Sequence, residues 1–276
     1  MAIIGVFDSG VGGLSVLRHL RAQLPHVDMA YFADSANVPY GPRPLAQVRA
    51  LSEAITRFLL GQGAQVIVVA CNTASAAALK HLRATFPEVP FVGMEPAVKP
   101  AAEQTRTGTV GVLATPATFQ GELFASVVER FAAGVTVIPQ VCPGLVQQIE
   151  AGALDTAETE AMLRGWVEPL LARDIDALVL GCTHYPFVIP LLQKICGPGV
   201  RVIDPAPAVA RQAQRVLNGA GHPAGETVIG RLTYSTSGDP DAFRQILARL
   251  GAEAAPVRAA RWEAAPDGLG VRVSAD

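Results

Sequence analysis

The sequence predicts a mixed α/β chain of two doubly wound, parallel-sheet domains, related by pseudo-two-fold symmetry and holding a functional cleft between them. Three observations carry that prediction. Val66-Ile-Val-Val-Ala70 is the kind of β-branched apolar run that a strand buried on both faces needs, and the Ala-rich stretch beyond it reads as a helix. Cys71-Asn72-Thr73 therefore falls in a strand-to-helix turn, where open α/β sheets bind ligands. Second, Leu178-Val-Leu-Gly-Cys-Thr-His184 repeats this layout, with its cysteine 111 positions after the first. Third, Gly5-Val-Phe-Asp-Ser9 has a counterpart 106 positions later in Gly111-Val-Leu-Ala-Thr115, each a short apolar strand reaching a hydroxyl residue before a turn. Two such halves would each present strand C-termini, and one thiol, to the space between them.

In chain order, Ile3 to Phe7 reads as the first strand. Asp8-Ser-Gly-Val-Gly-Gly13 follows as a glycine-rich turn into a helix from Leu14 to about Leu24. This is not a Walker loop, since no Gly-Lys-Ser/Thr follows, and Ser15 stands where a dinucleotide turn has its third glycine. Its N–H groups suit a carboxylate; a tight turn that merely needs glycine explains the same residues. Met29 to Ala33 is the second strand. Asp34 to Pro44 is loop by its Pro, Gly and Asn content, with Tyr40-Gly41 either closing over a ligand or anchoring the loop. An amphipathic helix from Leu45 to Leu60 leads to the Cys71 strand and helix, and Phe91 to Met94 is a further strand.

From Thr109 the pattern begins again: a strand over 109–114, a helix from Phe119 to Phe131 and a strand from Val135 to Ile138. Cys142 opens a loop entering a helix that carries Glu150 on its second turn, and a helix from Asp155 to Ala172 leads to the Cys182 strand. Arg201 to Asp204 is a strand and Pro205 to Gly219 a helix. The strand Thr233–Thr236 and helix Asp241–Leu250 should rejoin the first half. The domains expected are therefore 1–97 plus 207–276, and 98–206. Beyond Gly251 the chain is rich in Ala, Pro and Arg and is expected to be poorly ordered at its end.

Lys and Arg number 22 against 24 Asp and Glu, without a run of like charge, which speaks against nucleic-acid or anionic-membrane partners. No apolar run nears the roughly 20 residues of a spanning helix. The start lacks a basic n-region, so no signal peptide and a cytoplasmic chain are expected. Four cysteines without CxxC spacing do not make a disulfide framework. Cys142, before Pro143 in a loop, and Cys196, at the end of a helical pattern, read as structural.

The segments 5–15, 70–76, 114–120 and 181–187 contain no Lys or Arg but many Ser, Thr, Asn and turn N–H donors, enough to hold a small anion. A thiolate beside a fixed cation would have a lowered pKa and be a weaker base, and removing a proton from carbon needs a strong one. One thiol on each face of a substrate suits inversion at carbon, one group removing a proton and its opposite number delivering one. Asp8 and His184 are candidate proton partners of Cys71 and Cys182. The same residues admit other readings: buried strand-end thiols can be inert, His184 a structural histidine and Asp8 a helix cap. Cys71, Cys182, His184 and Asp8 could be zinc ligands of a hydrolase, although no short CxxC or HxxxH spacing joins them. A two-lobed binding module without chemistry is a further possibility.

Asp8-Ser-Gly-Val-Gly-Gly-Leu14, the segment Asp34 to Gly41, Ala70-Cys-Asn-Thr-Ala74, Gly93-Met-Glu-Pro-Ala97, Ala114-Thr-Pro-Ala-Thr118 and Gly181-Cys-Thr-His-Tyr-Pro186 together resemble the motifs of glutamate racemases, in family order over about the first 205 residues. Ser235 to Phe243 resembles that family's C-terminal strand and helix; the tail beyond 251 matches nothing in it. The resemblance implies a cofactor-independent isomerase without a metal, acting on glutamate and supplying D-glutamate for peptidoglycan. It implies that Cys71 acts on the α-proton of D-glutamate, assisted by Asp8, and Cys182 on that of L-glutamate, assisted by His184 with Glu150. Ser9, Tyr40 and Gly41 would bind the side-chain carboxylate and Asn72, Thr73 and Thr183 the α-carboxylate, with Thr115 and Thr118 nearby. A homodimer is also implied. Aspartate as substrate stays open, because one methylene is worth only ~1 to 3 kcal/mol in a pocket.

Overall fold

At the centre of the first half lies β1 (Ile3–Asp8), buried from Ile4 to Asp8 because its unbroken apolar run is covered on both faces. In the computed structural model, which describes residues 2–221, 228–265 and 268–273, the chain then alternates helix and strand. It passes through α1 (Leu14–Gln23), β2 (Asp28–Ala33), α2 (Leu45–Gly61), β3 (Val66–Val69), α3 (Asn72–Thr85) and β4 (Phe91–Gly93). Next come α4 (Val98–Gln104), β5 (Thr109–Ala114), α5 (Pro116–Gln120), α6 (Glu122–Phe131), β6 (Thr136–Val141), α7 (Leu145–Glu150) and α8 (Ala157–Leu171). After β7 (Ala177–Gly181), a single 3-10 turn over Tyr185–Val188, α9 (Ile189–Cys196) and β8 (Arg201–Ile203), the chain returns through α10 (Ala206–Gly219) to β9 (Leu232–Thr236) and α11 (Pro240–Arg249). It ends in β10 (Val257–Ala265) and β11 (Gly268–Val273).

Two sheets result. A four-stranded one has the order β6-β5-β7-β8, and a seven-stranded one the order β11-β10-β9-β2-β1-β3-β4. Within β2-β1-β3-β4 and β6-β5-β7-β8 the strands stand in the same order, so the repeat read from the two cysteine segments is a repeat of topology. All pairings are parallel except the β10–β11 hairpin. In each half the order reverses beside the first strand, and ligands collect at such switch points. Phe7 pairs with Val69 and Ala114 with Gly181, so Asp8 emerges beside Cys71, and Thr115 beside Cys182.

Burial follows the apolar pattern. α1 turns Val16, Leu17 and Leu20 inward and packs against α10, which faces it with Val209, Ala213 and Leu217. Each fully buried Val or Leu adds ~1.5 to 3 kcal/mol to the opposition against chain entropy. Among the described residues no helix is long and apolar enough to cross a membrane.

Three elements depart from the sequence reading. The helix expected over Phe119–Phe131 is broken at Gly121, whose backbone is extended and whose missing Cβ would sit 2.7 Å from the Cβ of Ala76 on α3. α4 was masked by Pro100, which its third position tolerates. The tail beyond Gly251 is ordered as β10 and β11, contrary to expectation; residues 266, 267 and 274–276 lie outside the described ones. Val257, Arg258 and Ala259 pair with Tyr234, Ser235 and Thr236, and Ala260 is buried against the α2 side of the sheet. Tertiary pairing outweighs the poor strand propensity of Ala and Arg here. Amides of 258–260 should therefore exchange with solvent deuterium at rates typical of the central sheet; exchange at random-coil rates in mass-spectrometric measurements would remove β10 from the fold.

Candidate active site

Cys71 is the last extended residue before α3 and serves as its N-cap, with the Ala74 N–H donating to Sγ at 3.4 Å. A helix N-terminus favours thiolate. Burial wins nonetheless: with the Asp8 charge adding to it, it pushes the thiol well above the ordinary cysteine range. Cys71 is thus a protonated thiol at rest and a strong base once deprotonated. Asp8 at the end of β1 is fully buried and accepts from the Gly10 N–H at 2.9 Å and the Thr183 hydroxyl at 3.0 Å. Burial raises its carboxyl above the usual aspartate value, against the pull of the His184 charge and of these hydrogen bonds.

The second half answers with Cys182, just past β7. Its Sγ lies 3.8 Å from His184 Nδ1, and His184 Nε2 lies 2.6 Å from Glu150 Oε1 at the end of α7. Burial works against a charged His184 ring, but the hydrogen bonds to Cys182 and Glu150 outweigh it and hold its pKa well above the ordinary imidazole value of 6.5. The same Glu150 oxygen accepts the Val11 N–H of the first half at 2.8 Å. Ser15, buried on α1, donates to the Thr183 carbonyl at 2.8 Å.

These crossings explain the glycines of the 8–13 turn better than turn geometry does. None of them has a positive φ. A Cβ on Gly10 would overlap the Glu150 carboxylate, one on Gly12 the His184 ring, and one on Gly13 would lie 2.7 Å from both the Asp8 Cβ and the Tyr31 hydroxyl. At Gly10 and Gly12 the turn is bare so that groups of the other half can reach it, and at Gly13 so that β1 and β2 can.

Between the halves lies a cavity of about 10 Å³, bordered by Ser9, Tyr40, Gly41, Cys71, Asn72, Thr73, Thr115, Cys182, Thr183 and His184, with Pro39 and Val146. It has room for about one water. Of the residues singled out in the sequence, only Asp8, Glu150 and Thr118 do not border it. Each touches one that does, through Thr183, His184 and Thr115 respectively. Hydroxyls of Thr73, Thr115 and Thr118 form a chain across the halves at 2.9 and 3.0 Å. Asn72 borders the cavity, and both of its side-chain polar atoms are buried without a partner among the described residues. The Tyr40 hydroxyl donates its only proton to Asp34 at 2.6 Å and so has none left to donate to a ligand.

Among the described residues no Lys or Arg borders the cavity, and the His184 ring is the only group there that carries positive charge when protonated. Cys142 and Cys196 are outside its border; burial pushes the first thiol up and the second to about 11. Among the described residues no three His, Cys, Asp or Glu side chains converge as a metal set. Sequence reading missed Ser15, Asp34, Pro39 and Val146. Ser15 carried a signal, since it replaces a glycine and opens a helix.

The folded-state pKa of His184 lies above its unfolded value, so its contribution to stability is complete below about pH 6.5 and fades as pH climbs through the folded value. Glu150→Gln should bring the ring down toward the ordinary range in an NMR titration. The stability lost with that substitution should be largest near pH 6 and shrink on the alkaline side. A ring that still titrates at its wild-type pH would leave Cys182 as the sole cause.

The family model described as Asp/Glu/Hydantoin racemase matches residues 4–213, from the first strand into α10. The glutamate racemase of Roseiflexus sp. (strain RS-1) is 52% identical over 248 residues, 90% of this chain and 91% of that protein. Among solved structures, a glutamate racemase isoform from Bacillus anthracis superposes with a TM-score of 0.86 at 31% identity, over 94% of this chain and 97% of that one. The Francisella tularensis subsp. tularensis SCHU S4 glutamate racemase in complex with D-glutamate does so with 0.81 at 29% identity, over 94% and 97%. A shared strand order, a cavity faced by one thiol from each half and near end-to-end similarity to these enzymes place the chain in the Asp/Glu/Hydantoin racemase family.

Proposed function

We propose that the chain interconverts L- and D-glutamate by moving a proton between the two faces of Cα, with no cofactor or metal, supplying D-glutamate for peptidoglycan. The observation that carries this reading is the pair of thiols, one from each half, bordering one cavity and each provided with its own proton partner.

In the D-to-L direction Cys71 as thiolate takes the α-proton, leaving a planar carbanion whose charge spreads into the α-carboxylate. Cys182 then gives its thiol proton to the opposite face. Cys71 ends as thiol and Cys182 as thiolate, and the reverse direction exchanges the roles. Asp8 exchanges a proton with Cys71, and His184, kept charged by Glu150, exchanges one with Cys182. Two carboxylates need donors. The unpartnered Asn72 amide with Thr73 and Thr183 suits the α-carboxylate, while Ser9 and the backbone around Tyr40-Gly41 suit the side-chain carboxylate, with Thr115 and Thr118 alongside. With no fixed cation bordering the cavity, the thiolate keeps its basicity.

The domain division belongs to the same reading: 1–97 with 207–276, and 98–206. Supporting it, the larger sheet draws its strands from the first group and the smaller from the second. A homodimer in the cytoplasm completes it, and light scattering on the purified chain would test the assembly.

In D2O with L-glutamate and EDTA, the protein should lose optical rotation and its substrate's α-proton NMR signal together; if both persist, the racemase reading fails. Cys71→Ala and Cys182→Ala should each lower the rate by at least about a hundred-fold, the scale of a lost acid or base. Cys142→Ala and Cys196→Ala should stay within a few-fold, and an essential role for either would misplace the thiol pair.

A further inference from the structure

We propose that Trp262, on the C-terminal hairpin, is a positioning residue of the active site, holding through Asp34 the loop that presents Tyr40 and Gly41 to the substrate. The proposal rests on the racemase reading above and adds to it a part of the chain that its family motifs do not reach.

Asp34 follows β2 and is fully buried, and its own N–H donates to the Asp8 carbonyl at 3.0 Å. Its carboxylate accepts from four side chains drawn from three parts of the sequence. Tyr40 Oη binds Oδ2 at 2.6 Å, and Oδ1 accepts from Ser237 Oγ at 2.6 Å, Trp262 Nε1 at 2.9 Å and Asn37 Nδ2 at 3.1 Å. Three of these donors crowd Oδ1 and one meets Oδ2, so four neutral groups hold the carboxylate. Losing one of them removes a hydrogen bond from a buried carboxylate and loosens the network that it ties together.

The path from Trp262 to the cavity is short. Tyr40 is buried and borders the cavity together with Gly41 and Cys71. Beyond Ala259, β10 no longer pairs with β9; there Trp262 is opposed by Val271 of β11, and it packs on the apolar cluster that contains Phe7, Tyr40 and Cys71. The hairpin thus delivers one polar hydrogen to a carboxylate that fixes a cavity-lining tyrosine. A ring that only filled space would need no N–H.

Trp262→Phe keeps an aromatic ring and removes the donor. In the full-length chain without substrate, amide exchange over 34–41 should quicken about ten-fold while the β1 and β3 amides keep their rates, the scale expected for one hydrogen bond to a charged group. The KM for glutamate should rise by a similar factor with kcat within about three-fold, because the loop binds substrate and transition state alike. Trp166→Phe, at the other tryptophan, should change neither quantity. Should Trp262→Phe fail to fold, Ser237→Ala removes a different donor from the same oxygen and should shift both readouts the same way. Wild-type exchange over 34–41 in the altered chains overturns the proposal, and so does faster exchange with an unchanged KM. A wild-type protein that leaves glutamate unaltered overturns the racemase reading instead, and the exchange comparison then decides by itself whether Trp262 holds the loop.

Discussion

The site depends on one buried polar seam, where the 8–13 turn of the first half meets Glu150, Thr183 and His184 of the second. Asp8 accepts from Thr183, Glu150 accepts from Val11 and grips His184, and Ser15 holds the Thr183 carbonyl. None of these groups is shared with bulk water to any great extent, so each relies on its partner across the seam. Networks of this kind are favourable when complete and costly when one member is missing. That all-or-none character ties together the two sheets whose thiols border one cavity.

Placing acids and thiols in a dry seam has an electrostatic consequence. Burial raises both Asp8, against the pull of the His184 charge, and Cys71, so neither gives up a proton as readily as it would in water. On the opposite side the positive charge is supplied by His184, favoured by its hydrogen bonds to Cys182 and Glu150. The halves share a topology but not the groups around their thiols: the Asp8 carboxyl lies near Cys71 and the His184 imidazole near Cys182. A symmetric fold can thus surround two matching thiols with chemically different groups.

Much of this was legible in the residues. The unbroken apolar runs of β3 and β7 marked buried parallel strands, and the thiols at their ends marked the switch points. Harder to see were features created by contacts far apart in the chain. Nothing near Gly10 announces that a carboxylate 140 positions away needs its space. Asp34 looked like an ordinary loop residue because two of its donors come from beyond residue 236. The tail looked disordered because Ala, Arg and Pro lack intrinsic strand preference, and only pairing with β9 makes a strand of them. Local periodicity reports which face of an element is buried; it is silent on which distant group will lie against it.

The bare backbone of the 8–13 turn also bears on how such a protein can change over generations. Every replacement of Gly10 or Gly12 brings a Cβ, and the first atom added already collides with Glu150 or His184. There is no graded series from small to large along which selection could move, as there is in an apolar core. The turn can diverge only if the opposite half retreats in the same step, so these positions should be among the slowest to drift, held by geometry as much as by chemistry.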